Sequence, residues 1–154
     1  MLLSKVKCRV LLLAFFFLSL PHLHPQTQWI SGEQEPVSFV GLTLQQLISS
    51  LGVPQFVFAA RGIEDWQDDV VFVYEQGNFY IYRDRVWQVG IQSIRGINTG
   101  DPGGVVSLIM GANAVTQGNS IFYPLHVAPW PLMLRWDIDS AGRVQGIFIY
   151  RSDF

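Results

Sequence analysis

The residue types that most often carry chemistry are thinly spread along this 154-residue chain. Beyond residue 25 one histidine remains, His126, set between Leu125 and Val127 in a Pro-rich connector. A working imidazole needs an acid to orient it or further ligands to share a metal. None lies near His126 in sequence, so it reads as a loop histidine. The run Glu64-Asp65-Trp66-Gln67-Asp68-Asp69 gathers carboxylates just ahead of a strand. Calcium would require several oxygens converging on one point, whereas a solvated loop requires nothing; the loop is the simpler reading. Asp137-Ile138-Asp139-Ser140-Ala141-Gly142 likewise hints at a cation loop, but a hairpin turn already explains Asp139 and Gly142. No Gly-x-Ser-x-Gly elbow, phosphate-binding glycine loop or zinc spacing occurs. An enzyme would have to bring Glu64, Asp68, Asp69 and His126 into one cleft. The expectation is a non-catalytic protein without metal or cofactor.

Aromatic residues make up 14% of the chain and give a binding reading more purchase. Over residues 78–83, strand alternation sends Phe79 and Ile81 to one face and Tyr80 and Tyr82 to the other. If helices cover the first face, the tyrosines line an open one, where rigid amphipathic rings favour protein contacts. Arg135 and Arg151 are expected on that side too, because Leu132, Leu134 and Trp136 would face the helices. The plainer alternative is that the tyrosines are there for strand propensity. A second binding reading places a small molecule or peptide in a pocket between two units, stacked on Trp87, Trp130 or Trp136.

The elements that must position these residues begin after an export signal. Lys5, Lys7 and Arg9 precede an apolar run over residues 10–20 that Pro21 stops, a charged region followed by a hydrophobic one. That run is roughly half the ~20 residues a membrane-spanning helix needs. Residues 1–25 are therefore expected to be a cleaved signal, which puts the protein in the periplasm or outside the cell; left uncleaved, the segment would tether it to the membrane. The lone cysteine, Cys8, precedes the apolar run and would leave with it. Disulfides and thiolate chemistry are then excluded together. Both lysines also leave, so seven arginines face 12 acidic residues, with no basic patch for nucleic acid or anionic lipid. The expected partner is another envelope protein, and the expected state a monomer or a weak associate.

Residues 26–38 lack periodicity and read as a linker. Thr43 and Gln46 then form a capping box, and Leu44, Leu47, Ile48 and Leu51 fall on one helical stripe before Gly52 and Pro54 end it. Strand-like runs follow at 55–60, 70–74, 78–83 and 86–92. The plan recurs. Gly41 and Gly52 bracket the first helix, and Gly100 and Gly111 bracket a second, both shifted by 59. There Asp101 reads as N-cap, Pro102 as first helical residue, and Val105, Leu108 and Ile109 as the stripe. Arg85-Val86 matches Arg143-Val144, and residues 132–138 and 144–151 form a hairpin around Gly142. The expected fold is α+β: two tandem units, 39–95 and 96–154, each a short helix or helix pair followed by a three- or four-stranded antiparallel meander, with the helices on one face of the sheet.

The run Gly41, Thr43, Leu47, Leu51, Gly52 and Pro54, with Trp66 and Tyr74 further on, resembles the SmpA/OmlA (BamE-like) lipoprotein family. Two such units in tandem are similar to the β-lactamase inhibitor protein fold, in which duplicated helix-plus-meander units share one curved sheet. The resemblance implies an extracytoplasmic protein that binds other proteins. The chain departs from the lipoproteins in having no cysteine after its signal, and from the inhibitor fold in having no disulfides.

Overall fold

The computed structural model describes residues 34–61, 69–126, 128 and 130–153. The expected signal, the linker up to Glu33, and Glu64, Asp65, Trp66, Gln67 and Asp68 lie outside the described residues.

The expected linker gives way to helix sooner than composition suggests. Helix α1 spans Gln34–Phe39. Pro36 is tolerated in a first turn, where its missing N–H has no helical acceptor to lose. Docking holds the turn in place: Val37 and Val40 are buried, and the Phe39 ring stands edge-on to Phe79 at 5.3 Å. Helix α2, Leu44–Leu51, has its capping box, with Gln46 N–H donating to Thr43 Oγ1 at 3.2 Å and Thr43 N–H to Gln46 Oε1 at 2.9 Å. Leu47 is fully buried, Leu44 and Leu51 partly, and Ile48 lies at the rim.

Strands β1 (Phe56–Ala60), β2 (Asp69–Tyr74), β3 (Gly77–Tyr82) and β4 (Arg85–Ile91) form an antiparallel meander. A two-stranded ribbon, β5 (Ser93–Ile94) with β6 (Ile97–Asn98), leads to helix α3 (Gly103–Met110) and a 3-10 turn. Strands β7 (Val115–Gln117), β8 (Ser120–Leu125), β9 (Leu132–Ile138) and β10 (Val144–Arg151) make a second meander. The last strand of each meander pairs antiparallel with the other, giving one eight-stranded sheet in the order β1-β2-β3-β4-β10-β9-β8-β7. The fold is thus α+β, mostly antiparallel sheet with a few short helices.

The contacts that dock each helix entrance recur at offsets of 59 on the helix side and 58 on the strand side. Gly41 N–H donates to Val86 O and Val86 N–H to Leu42 O; Gly100 N–H donates to Val144 O and Val144 N–H to Asp101 O. Leu44 N–H reaches Asp84 O as Gly103 N–H reaches Gly142 O. The Arg85 guanidinium donates to Gly41 O at 2.9 Å, and that of Arg143 to Gly100 O at 2.9 Å. Both terminal strands also carry a bulge at matching places, around Trp87 and around Gln145. Each bulge lets valines or isoleucines on either side of it, Val86 with Val89 and Val144 with Ile147, face the core together.

Two local expectations for α3 need correction. Pro102, not Asp101, is the N-cap residue; the Asp101 carboxylate instead accepts from Asn98 N–H at 2.7 Å and its side-chain amide at 3.2 Å, closing the preceding turn. The buried stripe is Gly103, Val106 and Met110, while Leu108 is 82% exposed and Ile109 exposed. The stripe is set by Gly103, where a Cβ would meet Ile138 Cδ1 at 3.1 Å and Gly142 O at 3.3 Å. That close approach fixes which side of the helix faces the sheet.

Buried residues of all three helices join one cluster with Phe79, Val89, Ile147, Ile149, Leu134 and Trp136. The helices therefore cover one face, and the other carries none of them.

Candidate functional site

Strand register decides which side chains share the uncovered face. Residues paired directly across antiparallel strands point the same way. One row runs Phe58, Val71, Tyr80, Gln88, Tyr150, Met133, Pro124, in which Val71 and Gln88 are buried although no described helix lies on this face. The next runs Phe56, Val73, Asn78, Gly90, Phe148, Arg135, Phe122, Val115. Tyr80, Tyr82 and Arg135 lie on this face as expected.

Arg151 does not. It pairs with Leu132, a core residue, and shares parity with Ile147 and Ile149. Its guanidinium lies 5.3 Å above the Trp130 ring and bonds Asp153 at 2.8 and 2.9 Å. Trp130 in turn packs against Gly41 at the entrance to α2. Arg151 thus belongs to the helix side, and its β10 neighbours Phe148 and Tyr150 take the uncovered face.

The centre of that face is built around Phe148. It stands opposite Gly90 where β4 and β10 meet, and two glycines make room for its ring. A Cβ at Gly146 would meet Phe148 Cε2 at 2.7 Å, and one at Gly90 would meet Cε1 at 3.3 Å. Arg135 lies over this platform, its guanidinium carbon 4.5 Å from the Phe148 centroid and 5.6 Å from that of Tyr150. Arg135 Nε is 3.1 Å from Asp137 Oδ1, an ion pair without hydrogen-bond alignment. The same carboxylate oxygen accepts from Ser120 Oγ at 2.7 Å. Tyr80 meets Phe148 edge-on at 6.3 Å, and Trp87 meets Tyr150 edge-on at 6.4 Å. Trp87 Nε1 donates to Asp69 Oδ1 at 2.9 Å. Tyr82 lies further along, with the Arg83 guanidinium 5.1 Å over its ring.

Electrostatics tie these groups together. Burial pushes the Tyr80 phenol above its ordinary value, Arg135 pulls it down, and Asp69 and Asp137 push it up. Tyr150 is raised by burial, opposed by Arg135 and assisted by Asp137. Both phenols keep their protons at physiological pH, so the centre presents hydroxyls and ring edges beside the Arg135 guanidinium and the Asp69 and Asp137 carboxylates.

Of Glu64, Asp68, Asp69 and His126, Asp69 and His126 are among the described residues, and they lie apart. Asp69 opens β2, and His126 follows β8, five strand positions away, roughly 24 Å along the sheet at about 4.8 Å per strand. Among the described residues no group of three His, Cys, Asp or Glu side chains could hold a metal. Trp87 is on the uncovered face, Trp130 on the helix side and Trp136 fully buried, so the three tryptophans line no common pocket. A cleft of about 330 Å³ does lie between α3 and the β7-β8 hairpin, lined by Gly103, Gly104, Ser107, Thr116 and Asn119; it sits within the second meander rather than between the two. Asp139 accepts from Ala141 and Arg143 N–H groups, each at 2.9 Å, which accounts for it as a turn residue.

Phe148 and Tyr150 join the site without a sequence expectation, and Trp87, expected to stack on a ligand between two units, lies on the uncovered face instead. The alternation Ile147-Phe148-Ile149-Tyr150 carries the signal for the first two. Trp87 has no such signal, because a bulge breaks the alternation at its position.

No family model matches the chain, and no curated protein does. Among solved structures it is similar to an extracellular protein containing a SCP domain from Bacillus anthracis, at 11% identity and a TM-score of 0.46, over 76% of this chain and 45% of that one. The chain therefore spans less than half the length of that structure. No helix among the described residues is long and apolar enough to cross a membrane.

Proposed function

We propose that this is an exported protein, periplasmic or secreted, that acts without catalysis by binding another envelope protein through the uncovered face of its sheet. The observation that carries the reading is Arg135 laid across Phe148 and Tyr150, between Tyr80 and Trp87. Arginine, tyrosine and tryptophan are the residues that dominate protein interfaces. A guanidinium already stacked on rings loses less freedom when it meets a partner, and its planar fork suits backbone carbonyls and carboxylates. The surrounding Phe122, Met133 and Phe58 supply apolar contact area on the same face.

The reading includes two tandem copies of one helix-plus-meander unit, residues 39–95 and 96–154. The backbone bonds and paired arginine contacts repeated at offsets of 58 and 59 support it, as does the matching pair of bulges. This is the arrangement implied by the resemblance to the SmpA/OmlA lipoproteins and the β-lactamase inhibitor protein fold. Export rests on the basic and apolar pattern of residues 5–20.

The test compares the protein with a variant carrying Arg135→Ala and Tyr82→Ala, both used as bait in the native envelope. Capture of the wild type's partner should fall at least tenfold while the melting temperature moves by only a few degrees. Equal capture by bait and variant would remove the interface from this face.

A further inference from the structure

Among the described residues, strand β1 is an edge that lacks the usual protections. Natural sheets blunt their edges with lysine, proline, bulges or a covering element. Here five residues, Phe56–Ala60, pair with β2 in unbroken register, and the opposite side of β1 has no strand neighbour among the described residues. Phe56, Val57 and Phe58 are 66%, 51% and 49% exposed, and Val70 beside them is also exposed. No charged residue occurs from Gly52 to Ala60. The opposite edge, β7, is only three residues long and carries Thr116 and Gln117.

We propose that β1 is the dimerisation edge of this protein, pairing antiparallel with β1 of a second copy about a two-fold axis at Phe58. In that register Phe56 lies across from Ala60 of the other copy and Val57 across from Ala59, large against small on either side of a central pair of Phe58 residues. The net acidic chain meets itself here over an uncharged segment, so like-charge repulsion is locally absent. The chain already contains an antiparallel joint between two strands that each end a meander: β4 and β10 pair about Gly90 and Phe148, with Val89 across from Ile149 and Ile91 across from Ile147. Pairing through β1 keeps both uncovered faces on one side and is isologous, so it closes at two copies.

The interface is small. Two half-exposed phenylalanines with Val57 and Val70 cover about 400 Å² per copy, half the ~800 Å² of a standard interface. The dimer therefore lies at the weak, transient end of specific association.

Sedimentation of the purified protein from 1 μM to 1 mM tests this. The expected result is a reversible monomer–dimer shift across that range. Val57→Lys should keep the melting temperature and abolish the shift, since it places a charge on the edge. An equimolar mixture of Val57→Lys and Val57→Glu should restore the dimer, because these side chains lie diagonally across the joint within reach of each other. A wild type monomeric at 1 mM would overturn the proposal, whether or not β1 binds a foreign extended peptide. So would a dimer indifferent to Val57→Lys, or growth beyond two copies. The result is independent of the uncovered-face reading, which concerns Arg135 and its neighbours.

Discussion

Arg135 illustrates how one side chain is positioned by several weak terms. Stacking on Phe148 and Tyr150 holds its plane, and Asp137, itself anchored by Ser120, fixes the stem. Each cation–π contact at a partly exposed site contributes about 0.5–1 kcal/mol, so orientation comes from their sum. The same neighbourhood raises the Tyr80 and Tyr150 phenols, chiefly by burial. A group whose folded pKa is raised keeps its proton longer folded than unfolded. Near neutral pH both states hold the proton and stability is unaffected; above about pH 10 the unfolded chain ionises first and stability falls. Urea unfolding from pH 7 to 11 should show that alkaline loss, and Tyr80→Phe with Tyr150→Phe should flatten it. An equal slope in the variant would mean the phenols are not buried as described.

At the scale of elements, helix α3 separates what sequence periodicity reveals from what it hides. Its composition is apolar nearly all round, so Val105, Leu108 and Ile109 make as plausible a stripe as any. The offset of 59 picks the right one: Leu44, Leu47 and Leu51 map to Gly103, Val106 and Met110, the buried set. Val106→Ala should cost about 2 kcal/mol from lost burial and a residual cavity, and Leu108→Ala less than about 0.5 kcal/mol. Thermal or urea unfolding decides between them, and the reverse order would rotate the helix. The first meander, the β9-β10 hairpin and α2 were readable because alternation, a capping box and glycine stops are local, whereas the short β5, β6 and β7, and β8 with its Pro124, were not. Helix α1 was not, since Val37, Phe39 and Val40 earn their place by docking on Phe79 and its neighbours. On β10, alternation applied from Ile147 onward puts Arg151 with the core row and Phe148 and Tyr150 on the uncovered face, so that part of the site was legible. The bulge that turns Trp87 and Gln88 to the same side leaves no mark in the sequence pattern.

At the scale of the molecule, one sheet joins two meanders at β4 and β10 with α1, α2 and α3 on one side, and the aromatic centre with Arg135 sits over the joint on the other. If the halves are equivalent, Arg85→Ala and Arg143→Ala each remove a guanidinium bond to the matching carbonyl. Each should cost about 1 kcal/mol, with additive effects in the double variant; one neutral and one severe result would break the equivalence. The binding reading is tested most directly by placing a photo-crosslinking amino acid at Tyr82 or Phe122 on the uncovered face and at Leu108 on the helix side, then irradiating in the native envelope. The prediction is one shared protein adduct from Tyr82 and Phe122 and none from Leu108. The same adduct from Leu108, with nothing from the other two positions, would contradict it.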